Sequence, residues 1–236
     1  MQIQFINIAE LNIQDAKQNA VEYLKEAANN SDIICFQEAS PAALKQICKI
    51  LTPEKFNLNK CQKHSSDDCV YFQATFVNKK HKILESSALL EKEDLIGMGL
   101  FSQVLTSGGI LNIMNFHGTY KPENKLDSEG RIFQSESIVN FLKSKSGGKI
   151  IGGDFNLEPN TNSIKIFSEH DYQNLINEYK IPTTRNRFVW DRFPENKMYF
   201  ADYVFVSSGI RISSFEVPNI EISDHLPLVL EFELQI

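Results

Sequence analysis

Cysteine is scarce in this chain, with only Cys35, Cys48, Cys61 and Cys69 among 236 residues. No two have CxxC spacing and no histidine cluster accompanies them, which argues against a thiolate zinc site. Cys35 sits in the apolar run Ile33-Ile34-Cys35-Phe36 and reads as a small core residue. Cys61 and Cys69 would bridge only in an oxidising compartment. No apolar run approaches the roughly 18 residues that cross a bilayer. Met1 leads straight into the alternating Gln2-Ile3-Gln4-Phe5-Ile6, without the basic and apolar regions of a signal peptide, so a cytoplasmic protein with no membrane span is expected. An excess of basic residues is also missing: 24 Lys and Arg face 30 Asp and Glu, for a formal net charge of −6. A general electrostatic grip on nucleic acid therefore finds no support in the total, although segregated charge or a bound cation could supply one locally. Internal repeats, low-complexity tracts and obvious linkers are lacking too. With 42% hydrophobic and 23% charged residues, the chain can bury a sizeable core. One domain over 1–236 is the simplest organisation, and a monomer is expected.

The patterns that are present alternate between strand and helix. Residues 2–8 alternate as a strand. Residues 15–29 have helical spacing, with Asp15 and Gln18 placed as a capping box. Residues 31–37 form a buried apolar strand, and residues 41–51 a helix with Pro41 in its first turn. This order predicts an α/β fold. Strands are predicted at 69–77, 81–89, 100–106 and 110–117, the last two joined by a Ser107-Gly108-Gly109 turn. Further predictions are a helix over 129–145, a strand over 149–153, short helices over 161–168 and 171–179, and strands at 200–206, 210–217 and 227–234. The stretches from Leu90 to Gly99 and from Gly118 to Glu129 are expected loops.

Acids, amides and imidazoles at predicted strand ends carry the chemistry, because sites on α/β sheets gather there. Asn7 ends the first strand, where a strand-end amide can also serve the backbone. Gln37-Glu38 follows the second; Glu38 suits a hard cation such as Mg²⁺, or else caps the helix near Pro41. His117 ends the strand Leu111–Phe116 and could donate to a phosphate oxygen or be structural. Gly152-Gly153-Asp154-Phe155-Asn156 follows another buried strand. Its glycines allow a tight turn, and Asp154 and Asn156 would share one side of an extended segment, where acid and amide can hold a water and an oxyanion. Asp202 lies in an apolar strand and needs a partner, since an isolated buried carboxylate is costly. His225, in Ser223-Asp224-His225, is the obvious one. A dinucleotide site on Gly97-Met98-Gly99 is rejected, because the third glycine and the following helix are missing.

Taken together, Asn7, Gln37-Glu38, His117, Gly153-Asp154-Phe155-Asn156, Asp202-Tyr203 and Ser223-Asp224-His225 resemble, in order and over nearly the whole chain, the endonuclease/exonuclease/phosphatase superfamily. That group includes pancreatic-type deoxyribonucleases, apurinic-site exonucleases, inositol polyphosphate 5-phosphatases and neutral sphingomyelinases. The resemblance implies a four-layer sandwich in which two mixed β-sheets pack face to face between helices. It also implies a phosphoesterase dependent on Mg²⁺ or Mn²⁺. Asn7, Glu38 and Asp224 would hold the metal, and His117, Asp154, Asn156, Asp202 and His225 would act on the phosphate. The chain departs from many nucleases of the group at Ala9 and at Gly118, where leucine is common, and it is short. The segments Lys125–Arg131 and Thr183-Thr184-Arg185 look like subgroup features with no evident substrate. Expected substrates are nucleic acid or nucleotide phosphodiesters. The alternatives are inositol phosphates or lipid headgroups, for which Arg131, Arg185 and Arg187 are candidate basic residues, and a partner-binding member without activity.

Overall fold

The computed structural model describes residues 1–9, 14–64, 70–90 and 97–235, the side chains of 14–18, 63 and 64 excepted. In chain order the elements are β1 (Gln2–Asn7), α1 (Gln14–Asn30), β2 (Ile33–Ala39), α2 (Pro41–Ile50), β3 (Phe56–His64) and β4 (Val70–Asn78). There follow β5 (Lys82–Leu89), β6 (Met98–Thr106), β7 (Gly109–His117), α3 (Glu129–Lys143), β8 (Gly148–Asp154) and α4 (Asn162–Glu169). The chain ends with β9 (Gln173–Asn174), α5 (Leu175–Glu178), α6 (Arg187–Arg192), β10 (Asp202–Val206), β11 (Ile210–Glu216) and β12 (Leu228–Leu234). Two six-stranded sheets result, ordered β11-β12-β1-β2-β4-β3 and β5-β6-β7-β8-β10-β9. Both are mixed: β1–β2 and β7–β8 are parallel pairs, and their neighbours are antiparallel. This is the expected α/β sandwich of two mixed sheets flanked by helices.

The layers follow from which strand faces are apolar. On β1, Phe5 belongs to the large core with Cys35, Ile113 and Ile151, while its neighbour Ile6 joins a second cluster with Leu24, Ala27, Leu44 and Ile47. Side chains alternate across a strand, so β1 is buried on both faces, between the second sheet and helices α1 and α2. The other outer layer is aromatic. Phe141 of α3 meets Phe101 edge-on at 4.9 Å, and Phe167 of α4 stacks on Phe205 at 4.5 Å.

Polar ties cross between the sheets. Asn115 is fully buried, donates to the Phe36 and Ala74 carbonyls, and accepts from Gln37 at 2.7 Å. Each buried amide group needs such a partner, and the ties fix how one sheet sits on the other. Gln37 thus serves the interior, while Glu38 beside it turns outwards at a bulge in the β2–β4 register with φ +55°. Among the described residues, no helix is long and apolar enough to cross a membrane.

Several elements differ from the sequence pattern. β3 was not anticipated, because Phe56-Asn57-Leu58-Asn59-Lys60 has few apolar residues; it is an edge strand held by β4 alone. Residues 173–178 are a two-residue strand and one helical turn rather than a helix from 171. Short helix α6 was not anticipated either; the Asn186 side chain caps it by accepting from the Phe188 N–H. Ser40, rather than Glu38, caps α2 by accepting from Ala43. Asp15 and Gln18, whose capping was expected, lie outside the described side chains, as do residues 91–96 of the expected loop. Cys69 is outside the described residues as well, while Cys61 Sγ lies 3.2 Å from Met98 Sδ.

Candidate active site

Strand register delivers the polar strand ends to one edge of the sandwich. The parallel β7–β8 pairing sets His117 against Asp154, and the antiparallel β8–β10 pairing sets Asp202 against Asp154 from the other side. In the first sheet, β1–β2 pairing places Asn7 next to Gln37, one residue before Glu38. Gly153 makes the approach possible, with φ +129° and a position where a Cβ would lie 2.1 Å from the Phe116 carbonyl oxygen.

Asp154 is the meeting point. Its Oδ2 accepts from Asn7 Nδ2 at 3.0 Å, and the same amide donates to Glu38 Oε1 at 3.1 Å. His117 Nε2 lies 3.2 Å from Glu38 Oε1 and 3.9 Å from Asp154 Oδ2. On the opposite flank, His225 Nε2 is 3.7 Å from Asp154 Oδ2, and its Nδ1 is 2.9 Å from both oxygens of Asp202. Asp154 Oδ1 accepts from the Asn156 N–H at 2.8 Å. This local turn, with Asn156 at φ +54°, is what brings the acid and amide together. The extended segment expected from the sequence is not present, because Phe155 turns into a pocket of Phe116, Phe167, Tyr203 and Phe205 rings.

Gly118, a departure from the family pattern, has its own reason. A Cβ there would stand 2.4 Å from the Phe155 carbonyl oxygen. The close approach lets Gly118 N donate to Asp154 O at 2.7 Å, and Gly118 O accept from Asn156 Nδ2 at 3.2 Å.

Residues outside the expected set complete the site. Arg185, anticipated as a loop cation, is buried, donates to Asp224 Oδ2 at 2.5 Å and lies 2.9 Å from His225 Nε2 through Nη1. Thr184 Oγ1 accepts from the Ala201 and Asp202 N–H groups, and Leu226 N donates to Thr184 O. The Thr183-Thr184-Arg185 segment thus sews the start of β10 to the Ser223-Asp224-His225 loop. Ser223 anchors that loop to β1 by donating to the Asn7 carbonyl at 2.7 Å. Lys125 is also buried, and its Nζ donates to Asn156 Oδ1 at 2.9 Å. The run from Lys125 to Arg131 and the tripeptide at 183–185 are both visible in the sequence as motifs without a role. Arg131 is 1% exposed and donates to carbonyls of Thr119, Tyr120, Pro122 and Leu126, so it builds the loop that carries Lys125. Arg187 is exposed and paired with Glu221, on the outside.

The charges shape the acidity of these groups. Burial pushes Glu38 up, but His117, His225 and the Asn7 amide outweigh it and hold the carboxyl down at about 2. Burial likewise works against Asp154, yet His225, Lys125 and His117 keep it below the usual carboxylate range. Asp202 is raised, chiefly by burial. For His225, burial and Arg185 favour the neutral ring, while Asp202, Asp224 and Asp154 favour the cation and prevail.

The donor set fits a hard divalent cation. Ligand atoms of Glu38, His117 and Asp154 lie within 4.8 Å of one another, and so do those of Asp154, Asp202 and His225. Asp224 is in neither group; Arg185 donates to its Oδ2, and its buried Oδ1 has no hydrogen-bond partner among the described residues. Carboxylate and amide oxygens are what Mg²⁺ or Mn²⁺ would take.

Residues 7–225 match the sequence profile of the Endonuclease/Exonuclease/phosphatase family. A UPF0294 protein of Vibrio vulnificus is 27% identical over 137 residues, covering 58% of this chain and 44% of that protein. The chain therefore spans less than half the length of the curated relative it matches. Among solved structures, an endonuclease/exonuclease/phosphatase from Bacteroides vulgatus superposes with a TM-score of 0.79 at 17% identity, covering 99% of this chain and 98% of that one. TDP2 from D. rerio, complexed with single-strand DNA product, gives 0.74 at 17%, covering 99% and 98%. A mannosyl-6-phosphatase from Bacteroides thetaiotaomicron gives 0.73 at 17%, covering 98% and 99%. At these identities the structural likeness shows the shared fold.

Proposed function

This chain belongs to the Endonuclease/Exonuclease/phosphatase family, and from that premise we propose that it is a divalent-metal-dependent phosphodiesterase acting on nucleic acid or nucleotides. The observation that carries the reading is the position of Asp154, within 4 Å of both His117 and His225 and hydrogen-bonded to Asn7 beside Glu38. An acid between two imidazoles and a second carboxylate is the equipment for placing water against a phosphate. Exposed aromatics support a nucleobase as the flanking group. Tyr120 follows the site strand β7, and Tyr199 packs on Trp190 at 5.3 Å while its carbonyl accepts from Thr184 N. Exposed rings of this kind can stack bases.

Glu38 would hold the Mg²⁺ or Mn²⁺, with Asp224 Oδ1 as a further ligand; Asn7 would join them only by turning its Oδ1, which accepts from the Ala9 N–H at 2.8 Å, towards the ion, and when bound the ion would neutralise charge on a non-bridging phosphate oxygen. Asp154 orients the attacking water or accepts its proton, with His225 as the alternative base. Asn156 Nδ2 donates to the oxygens of the developing phosphorane. Asp202 fixes His225 through Nδ1, which turns Nε2 towards the phosphate. His117 contacts the phosphate or the leaving oxygen from the Glu38 side.

A second reading, a phosphomonoesterase, is favoured by the two buried cations Lys125 and Arg185, since a monoester dianion carries one more charge than a diester. Hydrolysis of bis-p-nitrophenyl phosphate and p-nitrophenyl phosphate with Mg²⁺, Mn²⁺ or EDTA separates the two. Metal-dependent release from the diester, lost in His225→Ala, is expected. Release from the monoester alone selects the second reading, and release unaffected by His225→Ala overturns both site assignments.

A further inference from the structure

Lys125 is 5% exposed, and burial works against its ammonium, lowering its pKa from the ordinary lysine value. Its acceptor is the neutral amide oxygen of Asn156 at 2.9 Å. Among the described residues no carboxylate forms an ion pair with it. Asp154, Asp202 and Glu158 favour its charge only from beyond ion-pair distance; a buried cation with no anion in contact is costly, and an ammonium has three N–H groups to satisfy. Ordinary packing does not maintain such a group; a core position of this volume would be better filled by methionine or leucine.

The protein nevertheless constrains this position strongly. Lys125 has φ +53°, a left-handed backbone that a lysine rarely adopts and that persists only where the surroundings impose it. Glu158 N donates to the Lys125 carbonyl at 2.8 Å. Two residues later, the Asp127 carboxylate accepts from Asn162 N, Ser163 N and Ser163 Oγ, pinning the loop to the start of α4. Arg131 gathers the carbonyls on the other side of Lys125. The result is a rigid arm that delivers one ammonium beside the Asn156 amide, whose Nδ2 is in turn held by Gly118 O at 3.2 Å.

We propose that Lys125 is a substrate-binding residue whose ammonium pairs with a non-bridging oxygen of the phosphoryl group, next to Asn156 and across Asp154 from Glu38. This rests on the phosphoesterase reading for its ligand class. The contacting anion that Lys125 lacks is supplied by the substrate or by product phosphate. Because Lys125 Nζ occupies Asn156 Oδ1, it also sets which way the amide faces, so that Nδ2 is the atom available as donor.

The test is calorimetric titration of the full chain with inorganic phosphate, together with thermal unfolding, for wild type, Lys125→Met and Lys125→Arg. Lys125→Met is expected to bind phosphate roughly 10- to 100-fold more weakly, the scale of losing one hydrogen bond to a charged group. Without phosphate it should melt at or above the wild-type temperature, because an unpaired buried charge has gone; a lysine with a purely structural role would give the opposite shift. Lys125→Arg should recover part of the affinity. If Lys125→Met does not fold, Lys125→Gln is scored in the same way. Unchanged phosphate affinity in the neutral variant, or no measurable binding by wild type, overturns the inference. Phosphate binding that depends on Lys125 in a protein that hydrolyses no ester upholds it and removes the hydrolase reading. Hydrolysis and phosphate affinity both unchanged in Lys125→Met have the reverse meaning.

Discussion

Both carboxylate oxygens of Asp202 stand 2.9 Å from Nδ1 of His225, in a place where both residues are at least 96% buried. An acid so placed fixes the tautomer and orientation of the ring and stabilises its cation. Asp202→Asn keeps the shape and removes the charge. Turnover should fall by about 10²–10⁴-fold, the scale of misaligning one acid–base group, with a smaller change in KM. Steady-state kinetics on the best p-nitrophenyl ester measure it, and a variant of normal kcat would reject the pairing as functional.

Asp154→Ala and His225→Ala remove the groups at the centre of the site. Each should cost roughly 10²–10⁴-fold in turnover while the far-ultraviolet circular dichroism remains that of wild type. A folded Asp154→Ala variant that still turns over normally would refute its assignment.

Chelation should abolish hydrolysis, and Mg²⁺ or Mn²⁺ should restore it, because Glu38 and Asp154 converge on the Asn7 amide, where a bound divalent cation would stabilise a charged transition state. Glu38→Gln should raise the metal concentration needed for half-maximal rate. Full activity in EDTA would contradict the metal assignment.

Gly118 cannot accept a side chain without movement, since a Cβ would meet the Phe155 carbonyl at 2.4 Å. Gly118→Ala should lose about 1–3 kcal/mol, the usual cost of overpacking, seen as a lower urea midpoint. The displaced Asn156 should reduce activity as well. Retained stability would show that the strand end relaxes freely.

At the other end of the sheet, Asp32 accepts from Gln2 N at 2.8 Å, lies 3.3 Å from His81 Nε2 and pairs with Lys80. Burial pushes its carboxyl up, but Lys80, the Gln2 amide and His81 outweigh this and hold it below the ordinary value. A carboxyl depressed in the folded state stabilises above its unfolded pKa, and that contribution fades as pH falls through the folded value. Asp32→Asn should therefore cost about 1–3 kcal/mol near neutral pH, and the difference from wild type should close in acid. Urea unfolding at several pH values shows it, with activity unchanged because the site is distant. A constant difference down to strongly acid pH would argue against the charge as the cause.

The sequence by itself determined the strand-and-helix order around the site and the residues that reach it. Asn7, Glu38, His117 and Asp154 lie at the ends of strands whose apolar runs are unmistakable, while Asp202, expected inside a strand over 200–206, opens β10 instead; the period-2 and 3.6-residue patterns are local properties. It did not determine β3, an edge strand whose pairing with β4 outweighs a polar composition, because edge pairing is a non-local contact. The left-handed Asn156 that seats Phe155, and the Arg185 contacts to Asp224 and His225, were equally out of reach. Nor could spacing distinguish Lys125, Arg131 and Arg187, three cations within or beside predicted loops. The tertiary structure buried the first against Asn156, used the second to build a loop and left the third in solvent. Burial and charge compensation depend on which distant strands and loops meet, and only the folded chain decides that.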